Sequence, residues 1–512
     1  MHESKIIKLN FKYSGVRNID KFVDFLKPSI EYMKRSKNYI NEYASLNTVD
    51  DELIIEDCLN VVEKLKGVDA LVVIGIGGSN LGTLAIYDAL KHSKNNLKTL
   101  LFADTTDSLM LKSIISQIKS LVFEGKQVAL NVISKSGTTT ETLANFYVLY
   151  DALKKIEEEY EQSKESSKDS KSQEVVEKEY DGNEKSENLV KTEDEKENQN
   201  EDDINDEETS SKESNKLLEE EKSNQETTTS FDENVKNEKL PLDKRIVITT
   251  DKGSKLYILG KQREYLVLNI AKLVGGRYSV FSNVGIFPLM FSGIEVGNIL
   301  DGAKDIKSQC LKPTNQNPAL VSAASLYLAH KRGQRIVNMF VFSSQLFNIG
   351  QWYRQLFAES LGKKMNANNS KEVRTGMIPT CSVGSTDLHS VAQLYLGGPN
   401  MTYHQFITIK EVEDITILKI PSGFELLLPS IFEKSVHTIM GAIYGGVEQA
   451  FINEKIPFDG FHMEHLNEYT LGTLMQFKMI EVMFLAKLWG INAFDQPSVE
   501  LYKTQTRKLL EE

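Results

Sequence analysis

Hydroxyl side chains crowd a point where an apolar strand pattern changes to a helical pattern. Residues 134–142, SKSGTTTET, hold six hydroxyl side chains in nine positions, after the β-rich run VALNVI and before the helical run LANFYVLYDALKK. Hydroxyl groups and free backbone N–H groups at the start of a helix suit phosphate oxygens. Ser134, Ser136 and Thr139 are therefore candidates for phosphate binding, with Lys135 among them. An N-capping cluster in a polar loop explains the same residues equally well.

A glycine-rich loop, GIGGSNLG at residues 75–82, follows a predicted buried strand. Glycines let the backbone approach an anion closely, and the helix that begins near Ser79 offers free N–H groups and the positive end of its dipole. A dinucleotide-binding fingerprint is a competing interpretation, with Asp104 as the ribose-binding acid, but Asn80 stands where the third glycine is required. A Walker P-loop is excluded because no Gly-Lys-Ser/Thr follows.

Side chains that could do acid–base chemistry stand later in the chain. Gln355 and Glu359 are four residues apart, hence on one helix face, and aromatic and leucine neighbours would shield Glu359 from water as a general base requires. Arg277 follows two glycines in GGRYS, where a guanidinium suits a phosphate or a developing oxyanion. A surface glutamate and an ion-paired arginine are the ordinary alternatives. Further candidates in polar segments are His389, Gln496 and Lys503.

The stretch FHMEH holds two histidines and a glutamate, which is a combination found in metal sites. His462 and His465 are three positions apart with no third ligand nearby, so the pattern is weak evidence for a metal. We therefore predict a solvated surface segment at this place, and we expect neither a metal nor a redox cofactor.

The formal net charge of −12 conceals two regions of opposite sign. Residues 157–240 carry 30 acidic and 12 basic side chains, whereas the rest of the chain carries 42 acidic and 48 basic ones. A mildly basic body suits small anionic ligands, and it is far too weak a signal for nucleic acid binding. Because only 12 of the 84 residues from 157 to 240 are aliphatic or aromatic, we predict a disordered insertion over 158–240.

Cysteine usage and hydropathy indicate the compartment. The three cysteines are widely spaced and odd in number, which argues against a disulfide framework and favours a reducing compartment. The sequence contains no run of about 18 apolar residues, so no transmembrane helix is predicted. The first residues, MHESKIIKLNFKYSG, lack the apolar block of a signal peptide. We therefore expect a cytoplasmic protein.

Apolar strand patterns alternate with helical patterns along most of the chain. Predicted strands occupy 70–76, 97–103 and 127–133, and continue beyond the acidic segment at 245–250 and 265–270. A second block contains the helices PALVSAASLYLAHKRG and QLFNIGQWYRQLFAESLGKK and the strands RIVNMFVF, HQFITIK and DITILKI. Near-continuous apolar strands between helices predict an α/β fold of two units, each a parallel sheet covered on both faces, with a mainly helical C-terminal region.

Six motifs occur in the order found in one enzyme family. They are GIGGSNLG, SKSGTTTET, GGRYSVFSNVG, QLFAESLGK, STDLHS and NAFDQPSVELYK. In these motifs the chain resembles the glucose-6-phosphate isomerase family over residues of about 40–156 and 243–510. The motif sequences are most similar to those of the bacterial form. Ser498 departs from the family, in which glycine usually follows the proline of FDQP. A Cβ at that turn puts the placement of Lys503 in doubt.

The resemblance implies two sugar-isomerase (SIS) subdomains, each a parallel sheet sandwiched by helices, and a C-terminal helical arm. The implied parts are an N-terminal helical segment 1–45, a first subdomain 46–157 with 241–292, the acidic insertion 158–240, a second subdomain 293–450 and an arm 451–512. It also implies a homodimer whose active site is shared across the interface. The implied partner is a small hexose phosphate, with no nucleic acid, no membrane and no cofactor.

The same resemblance implies a role for each candidate residue. Glu359 is implied to be the base, and Arg277 to steady the enediolate. His389, supplied by the neighbouring subunit, and Lys503 are implied to assist ring opening. The implied substrate contacts are Gly78, Ser79, Ser134, Lys135, Ser136, Thr139, Gln355 and Gln496.

The reaction that the resemblance implies is the reversible isomerisation of glucose 6-phosphate to fructose 6-phosphate, a step of glycolysis and gluconeogenesis. It proceeds through ring opening and a cis-enediol, so that one carboxylate reaches both adjacent carbons. Two alternatives stay open: a non-catalytic sugar-phosphate-binding module, and an isomerase of broader hexose-phosphate scope. Glu359, His389 and Lys503 favour the enzyme, because a binding module needs only the phosphate loops.

Overall fold

The computed structural model describes residues 7–180, 239–416 and 420–512. The chain divides into two compact units, one of Met1–Glu158 with Lys239–Glu512 and the other of Glu159–Glu238. Of the second unit, the structure describes the helical residues 159–180. All strands and all candidate site residues belong to the first unit.

Strands and helices alternate along the described chain. The strands are β1 (Ile7–Asn10), β2 (Ala70–Ile74), β3 (Thr99–Ala103), β4 (Val128–Ile133), β5 (Ile246–Asp251), β6 (Leu266–Ile270), β7 (Ile336–Val341), β8 (Lys363–Met365), β9 (Glu372–Thr375), β10 (Ile378–Val383), β11 (Thr402–Glu411) and β12 (Phe458–His465). The helices are α1 (Asp20–Lys34), α2 (Glu52–Lys64), α3 (Leu81–Leu90), α4 (Ser108–Phe123), α5 (Thr140–Tyr180), α6 (Lys255–Gln262), α7 (Asn283–Ser292), α8 (Val296–Cys310), α9 (Pro318–Lys331), α10 (Phe347–Leu361), α11 (Ala392–Gly397), α12 (Val436–Asn453), α13 (Glu468–Trp489) and α14 (Glu500–Glu511). Within the described ranges, none of these helices has both the length and the apolar character that crossing a membrane requires.

The first sheet is wholly parallel, in the strand order β3-β2-β4-β5-β6. β2 and β4 are buried along their whole length, which explains why their sequences read as unbroken apolar runs rather than as alternating patterns. The five strands predicted for this block are confirmed, and α3 to α6 connect them as predicted crossover helices.

The second sheet has the order β1-β12-β11-β7-β10, and one of its edges is antiparallel. β1 pairs antiparallel with β12, whereas β12, β11, β7 and β10 are mutually parallel. The predicted N-terminal helical segment 1–45 is thus partly wrong, because Ile7–Asn10 is a strand. The predicted strand DITILKI is also not found where it is described, since Thr416 forms only an isolated bridge with Ser435 and residues 417–419 lie outside the described ranges.

The region predicted as a C-terminal arm from residue 451 contributes mostly to the core. β12 lies inside the second sheet, and α13 is buried almost throughout and packs on α8 and α9. α14 alone has the character of an arm, since none of its residues is buried. The apolar stretch of α13 is therefore a central core helix rather than the inner face of an arm.

The insertion predicted over 158–240 overlaps the second compact unit, Glu159–Glu238. Its first described residues, 158–180, continue the helix α5. Glutamate, lysine and glutamine dominate this stretch and are strong helix formers, so local propensity can extend a helix where no core is available. The rest of the predicted insertion, 181–238, lies outside the described residues.

A cluster of polar side chains is sealed inside the second half of the fold. Lys478 and Glu481 on α13 form an ion pair of 2.9 Å, and neither side chain is exposed. The tyrosine hydroxyl of Tyr353, on α10, donates to Glu481 at 2.8 Å. Gln405 on β11 accepts from Lys478 at 2.8 Å, and Ser322 on α9 donates to Glu481. The helices α9 and α10 and the strand β11 thus each supply a hydrogen-bond partner to the ion pair.

Asp459 on β12 adds a second carboxyl group to this polar cluster. It accepts a hydrogen bond from the Tyr403 hydroxyl at 2.7 Å and lies 3.4 Å from the Ser322 hydroxyl. Burial raises the pKa of Asp459 to about 7, and the nearby Glu481 charge acts in the same direction, while Tyr403 and Lys478 lower it. Near neutral pH the cluster therefore binds a proton that the unfolded chain would release.

We predict that Asp459→Asn removes a pH dependence of stability. The pKa of Asp459 is raised on folding, so its stabilising proton is held at pH 4 and is lost as pH rises through about 7. The wild-type protein should lose about 2–3 kcal/mol of unfolding free energy between pH 5 and pH 8 relative to the variant. Urea denaturation at pH 5 and pH 8 measures the difference.

Asp305→Asn is the matched control, because Asp305 also accepts from a tyrosine, Tyr469, but is exposed. It should leave the pH dependence as it is in the wild type. An Asp459→Asn variant that follows the wild-type pH profile would show that Asp459 is ionised in the folded protein at all these pH values.

Candidate active site

Three loops that carry candidate residues meet at one edge of the first sheet. The turn Gly77–Ser79 follows β2, residues 134–139 follow β4, and the turn Gly276–Tyr278 follows β6. Because these strands are parallel, all three loops leave the sheet at its carboxyl edge, where α/β proteins bind their ligands. Ser79 closes the first turn and is half-buried there.

Two glycines allow the first loop to pack closely against neighbouring segments of the chain. A Cβ on Gly78 would lie 2.1 Å from the carbonyl carbon of Gly276 and 2.5 Å from the backbone nitrogen of Arg277. Gly77 has a φ of +58°, and a Cβ there would lie 2.8 Å from the amide nitrogen of Gln355. Since no side chain fits at either position, the glycines are required for the close approach of the backbone.

The guanidinium group of Arg277 is buried, and each of its nitrogens has a partner. Nε donates to the Ser360 hydroxyl at 2.8 Å. Nη1 donates to Gln496 Oε1 at 2.8 Å and to Glu359 Oε2 at 3.3 Å. Nη2 donates to two backbone carbonyl oxygens of residues 493–495, at 2.7 and 3.2 Å. Arg277 is ion-paired with Glu359, as the alternative interpretation has it, and its guanidinium also joins three segments distant in sequence.

Glu359 lies on α10 with its carboxylate held from two sides. Gln355, one turn earlier, donates to Glu359 Oε1 at 2.9 Å, and Arg277 contacts Oε2. The side chain of Glu359 is 30% exposed and lines a cavity of about 710 Å³, together with Gln496. The buried Oε1 atom of Gln355 has no hydrogen-bond partner in the described chain, so it is an acceptor available to a hydroxylated ligand.

Some hydroxyl groups of the hydroxyl-rich loop form hydrogen bonds within the loop itself. Ser134 Oγ lies 2.8 Å from Thr139 Oγ1 and accepts from the Gly137 backbone at 3.1 Å, while Ser136 Oγ accepts from the Thr138 backbone at 3.3 Å. These bonds shape the turn before α5, but their donors, the N–H groups of Gly137 and Thr138, precede the helix, so neither is an N-cap bond. Ser136 and Thr139 also line a cavity of about 220 Å³, as the phosphate interpretation requires.

Lys135 supplies positive charge to this loop. Its side chain is half-buried, and its ammonium group has no hydrogen bond or ion pair with another side chain in the described residues. Burial lowers the pKa of Lys135, the charge of Arg277 lowers it further, and Asp251 opposes both. Two cations close enough to affect each other favour an anion between them.

Lys503 faces the hydroxyl loop from α14. It lines the same 220 Å³ cavity as Ser136 and Thr139, and its ammonium group lies 3.0 Å from Glu500 Oε1. Glu359 and Lys503 line different cavities, and residues 497–503 contribute to the walls of both. The predicted residues thus form two neighbouring groups, one around Glu359 and one around the hydroxyl loop.

His389 belongs to neither group. It ends the short turn Thr386–His389 after β10, its side chain is exposed, and it lines neither of the two cavities. Within the described residues it makes no hydrogen bond or ion pair. The structure therefore does not bring His389 together with Glu359 in one chain.

Lys363 is a site residue that the sequence patterns did not identify. It stands two residues after the end of α10 and is 8% exposed. Its ammonium group donates to the Glu359 carbonyl oxygen at 2.8 Å and pairs with Asp495 Oδ1 at 3.1 Å. The position of Lys363 just after Glu359 in the motif QLFAESLGK could have indicated a role in the site. A lysine after a helix, however, usually indicates a helix end that is exposed to solvent.

The histidines of FHMEH lie in β12, and both are half-buried rather than fully solvated. His462 Nδ1 lies 2.8 Å from Thr408 Oγ1, and His465 lies 3.6 Å from Glu411. Residues three apart in a strand point to opposite faces, which separates the two imidazoles. In the described ranges, no group of three or more histidine, cysteine, aspartate and glutamate side chains is arranged to hold a metal ion.

Comparison with known proteins gives a consistent match along the chain. A family model described as phosphoglucose isomerase matches residues 60–182 and 217–512. The unmatched stretch between them falls inside the acidic segment. The chain is 27% identical over 515 residues to a protein named probable glucose-6-phosphate isomerase of Methanococcus maripaludis, covering 97% of this chain and 93% of that protein. It is 25% identical over 506 residues to the glucose-6-phosphate isomerase of Campylobacter jejuni, covering 98% of both.

Solved structures share the fold. A Thermus thermophilus protein described as hypothetical superposes with a TM-score of 0.73 at 23% identity, covering 99% of this chain and 100% of that one. A glucose-6-phosphate isomerase from Chlamydia trachomatis superposes with a TM-score of 0.70 at 20% identity, covering 99% and 88%. These likenesses support the α/β architecture of two sheets.

We predict that Gly78→Ala destabilises the protein. The added Cβ meets backbone atoms of Gly276 and Arg277, which cannot rotate away, so the loops must separate. The expected loss is about 1–3 kcal/mol of unfolding free energy, measured by urea denaturation. Gly297→Ala is the control, because no atom lies within 4 Å of its Cβ and it stands within α8. Equal stability of Gly78→Ala and Gly297→Ala would contradict the proposed contact between the loops.

Proposed function

The chain belongs to the phosphoglucose isomerase family, and we propose that Glu359 carries out the proton transfer of its reaction. That reaction is the reversible isomerisation of glucose 6-phosphate to fructose 6-phosphate, and the chain is an aldose–ketose isomerase that acts on hexose phosphates. The comparisons give no support to a non-catalytic sugar-phosphate module.

The observation that carries this proposal is the setting of the Glu359 carboxylate. It is oriented by Gln355 at 2.9 Å and by Arg277 at 3.3 Å, and it remains 30% exposed on the wall of a 710 Å³ cavity. A carboxylate that is fixed by two donors and still open to a cavity can accept a proton from a ligand held there.

Glu359 serves both carbons in turn. In the open-chain sugar it removes the proton from C2, the C2–H electron pair forms the C1–C2 double bond, and the aldehyde oxygen takes up the negative charge. The proton of the C2 hydroxyl then passes to the C1 oxygen, so that the negative charge moves to the C2 oxygen. As the carbonyl re-forms at C2, the electron pair of the C1–C2 double bond takes the proton back from the carboxyl group of Glu359 and forms the new C1–H bond. The product is the ketose, and Glu359 is again a carboxylate. No electron leaves the substrate–enzyme pair in this sequence.

Arg277 stabilises the charge that develops on the enediolate oxygens. It is a fixed cation, buried and held by five protein acceptors, so little reorganisation is required when the charge appears. Its Nη1 group contacts both Glu359 and Gln496, which places positive charge beside the carboxylate that transfers the proton. The free Oε1 atom of Gln355 is positioned to accept from a sugar hydroxyl.

The hydroxyl loop holds the phosphate in this proposal. Ser136 and Thr139 line the 220 Å³ cavity, and Ser134 fixes Thr139 through their hydroxyl contact. Lys135 and Arg277 supply the positive field; burial is the main cause of the lowered pKa of Lys135, and the charge of Arg277 adds to it. Gly78 offers its backbone N–H group from the neighbouring loop at the same sheet edge, and Ser79, whose own N–H donates to the Ile76 carbonyl oxygen at 3.2 Å, offers its hydroxyl.

Ring opening is assigned to Lys503 and to the partner subunit's His389. Lys503 lines the cavity next to the hydroxyl loop, where it can act on the ring oxygen of a bound sugar phosphate. His389 is exposed and has no hydrogen-bond or ion-pair partner in the described chain, which suits a residue that completes its site in a second copy. The proposed assembly is accordingly a homodimer.

An uncovered apolar surface supports the homodimer. Phe424, Leu426 and Leu427 are 53%, 95% and 74% exposed, and α12 follows them with Phe451 as its one buried residue. Apolar side chains grouped in this way are typical of an interface between subunits. A second copy of the chain is the proposed occupant of this surface.

The organisation of the chain remains a proposal as well. Two separate sheets support two sugar-isomerase subdomains, with the division near residue 293 between α7 and α8. The acidic segment between α5 and β5 is proposed to be an insertion, and the family match is interrupted within it at 183–216. The proposed location is the cytoplasm, in keeping with a step of glycolysis and gluconeogenesis.

We predict that Glu359→Gln abolishes turnover and leaves substrate binding nearly intact. The amide keeps the shape of the side chain but cannot accept the C2 proton, so kcat should fall by about 100- to 10,000-fold. A coupled assay of fructose 6-phosphate formation measures kcat, and calorimetric titration with a hexose 6-phosphate measures binding. The control Glu264→Gln, an exposed glutamate paired with Lys244, should behave as the wild type. Undiminished turnover by Glu359→Gln would remove this residue from the role of base.

We predict that hybrid dimers of two inactive variants recover activity. Refolding a mixture of Glu359→Gln and His389→Ala chains forms hybrids in which one site has both native residues. Roughly a quarter of wild-type activity should return in an equimolar mixture, because about half of the dimers are hybrids with one native site each. Each variant refolded alone is the control. A mixture no more active than its parts would show that His389 acts within its own chain.

A further inference from the structure

We propose that Lys363 is a positioning residue of the isomerase reaction. Lys363 holds the segment of residues 493–496, and this segment in turn keeps Arg277 and Gln496 in place next to Glu359. The proposal rests on the roles proposed above for Glu359 and Arg277. It assigns to Lys363 no contact with substrate.

The contacts of Lys363 join the end of the catalytic helix to the C-terminal segment. Its ammonium group donates to the backbone carbonyl of Glu359 at 2.8 Å, on α10. It also donates to the backbone carbonyl of Asp495 and forms an ion pair with Asp495 Oδ1 at 3.1 Å. The side chain is 6% exposed, so these are the contacts that a desolvated ammonium group needs.

The segment that Lys363 holds is the one that supports Arg277. Arg277 Nη2 donates to the carbonyl oxygens of Ala493 and Asp495, and Nη1 donates to Gln496. The Asp495 carbonyl therefore receives hydrogen bonds from both cations. If Lys363 releases this segment, the acceptors that orient the guanidinium move with it.

Lys363 also neutralises a carboxylate near the reacting atoms. Asp495 Oδ1 is buried, and it stands one residue from Gln496, which lines the same cavity as Glu359. Without the ammonium group, this negative charge would oppose the negative charge of the enediolate. Burial lowers the pKa of Lys363, and the ion pair with Asp495 opposes that shift.

A lysine with the same pattern of contacts lies elsewhere in the fold and provides the matched control. Lys307 donates to the Leu46 carbonyl oxygen at 3.0 Å and pairs with Asp50, and its side chain is 14% exposed. It touches none of the proposed site residues. Lys307→Met therefore reproduces the loss of a largely buried ammonium group, its ion pair with an exposed aspartate and its backbone contact, without a change at the site.

The experiment compares Lys363→Met, Lys363→Arg and Lys307→Met in the full-length chain. For Lys363→Met we expect kcat to fall about 100-fold with KM changed by less than about threefold, since only the geometry for the transition state is lost. Binding of a five-carbon aldonate phosphate, whose carboxylate mimics the enediolate, should weaken, and binding of a hexitol 6-phosphate should not. Lys363→Arg should recover at least about tenfold in kcat because it keeps the charge. Lys307→Met should keep the wild-type kcat even if its melting temperature falls.

Two results would overturn the proposal. One is a Lys363→Met enzyme with wild-type kcat, and the other is a parallel loss of affinity for both phosphates, which is the sign of general structural damage. If Lys363→Met does not fold, Asp495→Asn replaces it, since it removes the same ion pair and keeps the backbone acceptor. A kcat lowered about tenfold at constant KM then supports the proposal, and an unchanged kcat contradicts it. Glu359→Gln in the same assay separates the two questions, because an active Glu359→Gln enzyme refutes the proposed base whatever Lys363 does.

Discussion

The arrangement of the site depends on one buried cation with five protein acceptors. Arg277 reaches from the first sheet to Ser360 and Glu359 on α10 and to residues 493–496 near the C-terminus. A guanidinium group can satisfy all these acceptors at once because its donors lie in one plane in a fixed fork. Each acceptor that is lost leaves a buried polar group unpaired, so the three segments are stabilised only in each other's presence. In the proposed mechanism, the same charge that holds the segments together stabilises the negative charge of the enediolate.

α10 is fixed on two opposite sides, and this explains why it can carry the base. On its buried side, Tyr353 donates to Glu481 within a cluster that also contains Lys478 and Asp459. On its open side, Glu359 lines the cavity and Gln355 donates to its carboxylate. The helix is thereby held by hydrogen bonds of defined direction as well as by apolar packing, and such bonds specify one position of the helix along its neighbours. Proton binding near neutral pH in the buried cluster makes the stability of this arrangement sensitive to pH.

The local patterns of the sequence were sufficient for the first sheet and for the loops, and not for features that depend on long-range contacts. Strands 70–74 and 128–133 are recognisable because burial on both faces makes them wholly apolar. The pairing of Ile7–Asn10 with β12 joins residues more than 400 positions apart, and no local pattern indicates it. Lys478 and Glu481 have the spacing of a surface ion pair on a helix, yet both are fully buried. Lys363 was missed for the same reason, because its partner Asp495 is distant in sequence.

The central claim is that Glu359 transfers the proton between the two sugar carbons while the hydroxyl loop binds the phosphate. The most direct measurement is a crystal structure of the protein with a hexose 6-phosphate bound in its open-chain form. The account predicts a Glu359 carboxylate oxygen within about 3.5 Å of both C1 and C2, with the phosphate against Ser136 and Thr139. A bound sugar whose C1 and C2 lie far from Glu359, with another side chain at that distance, would contradict it.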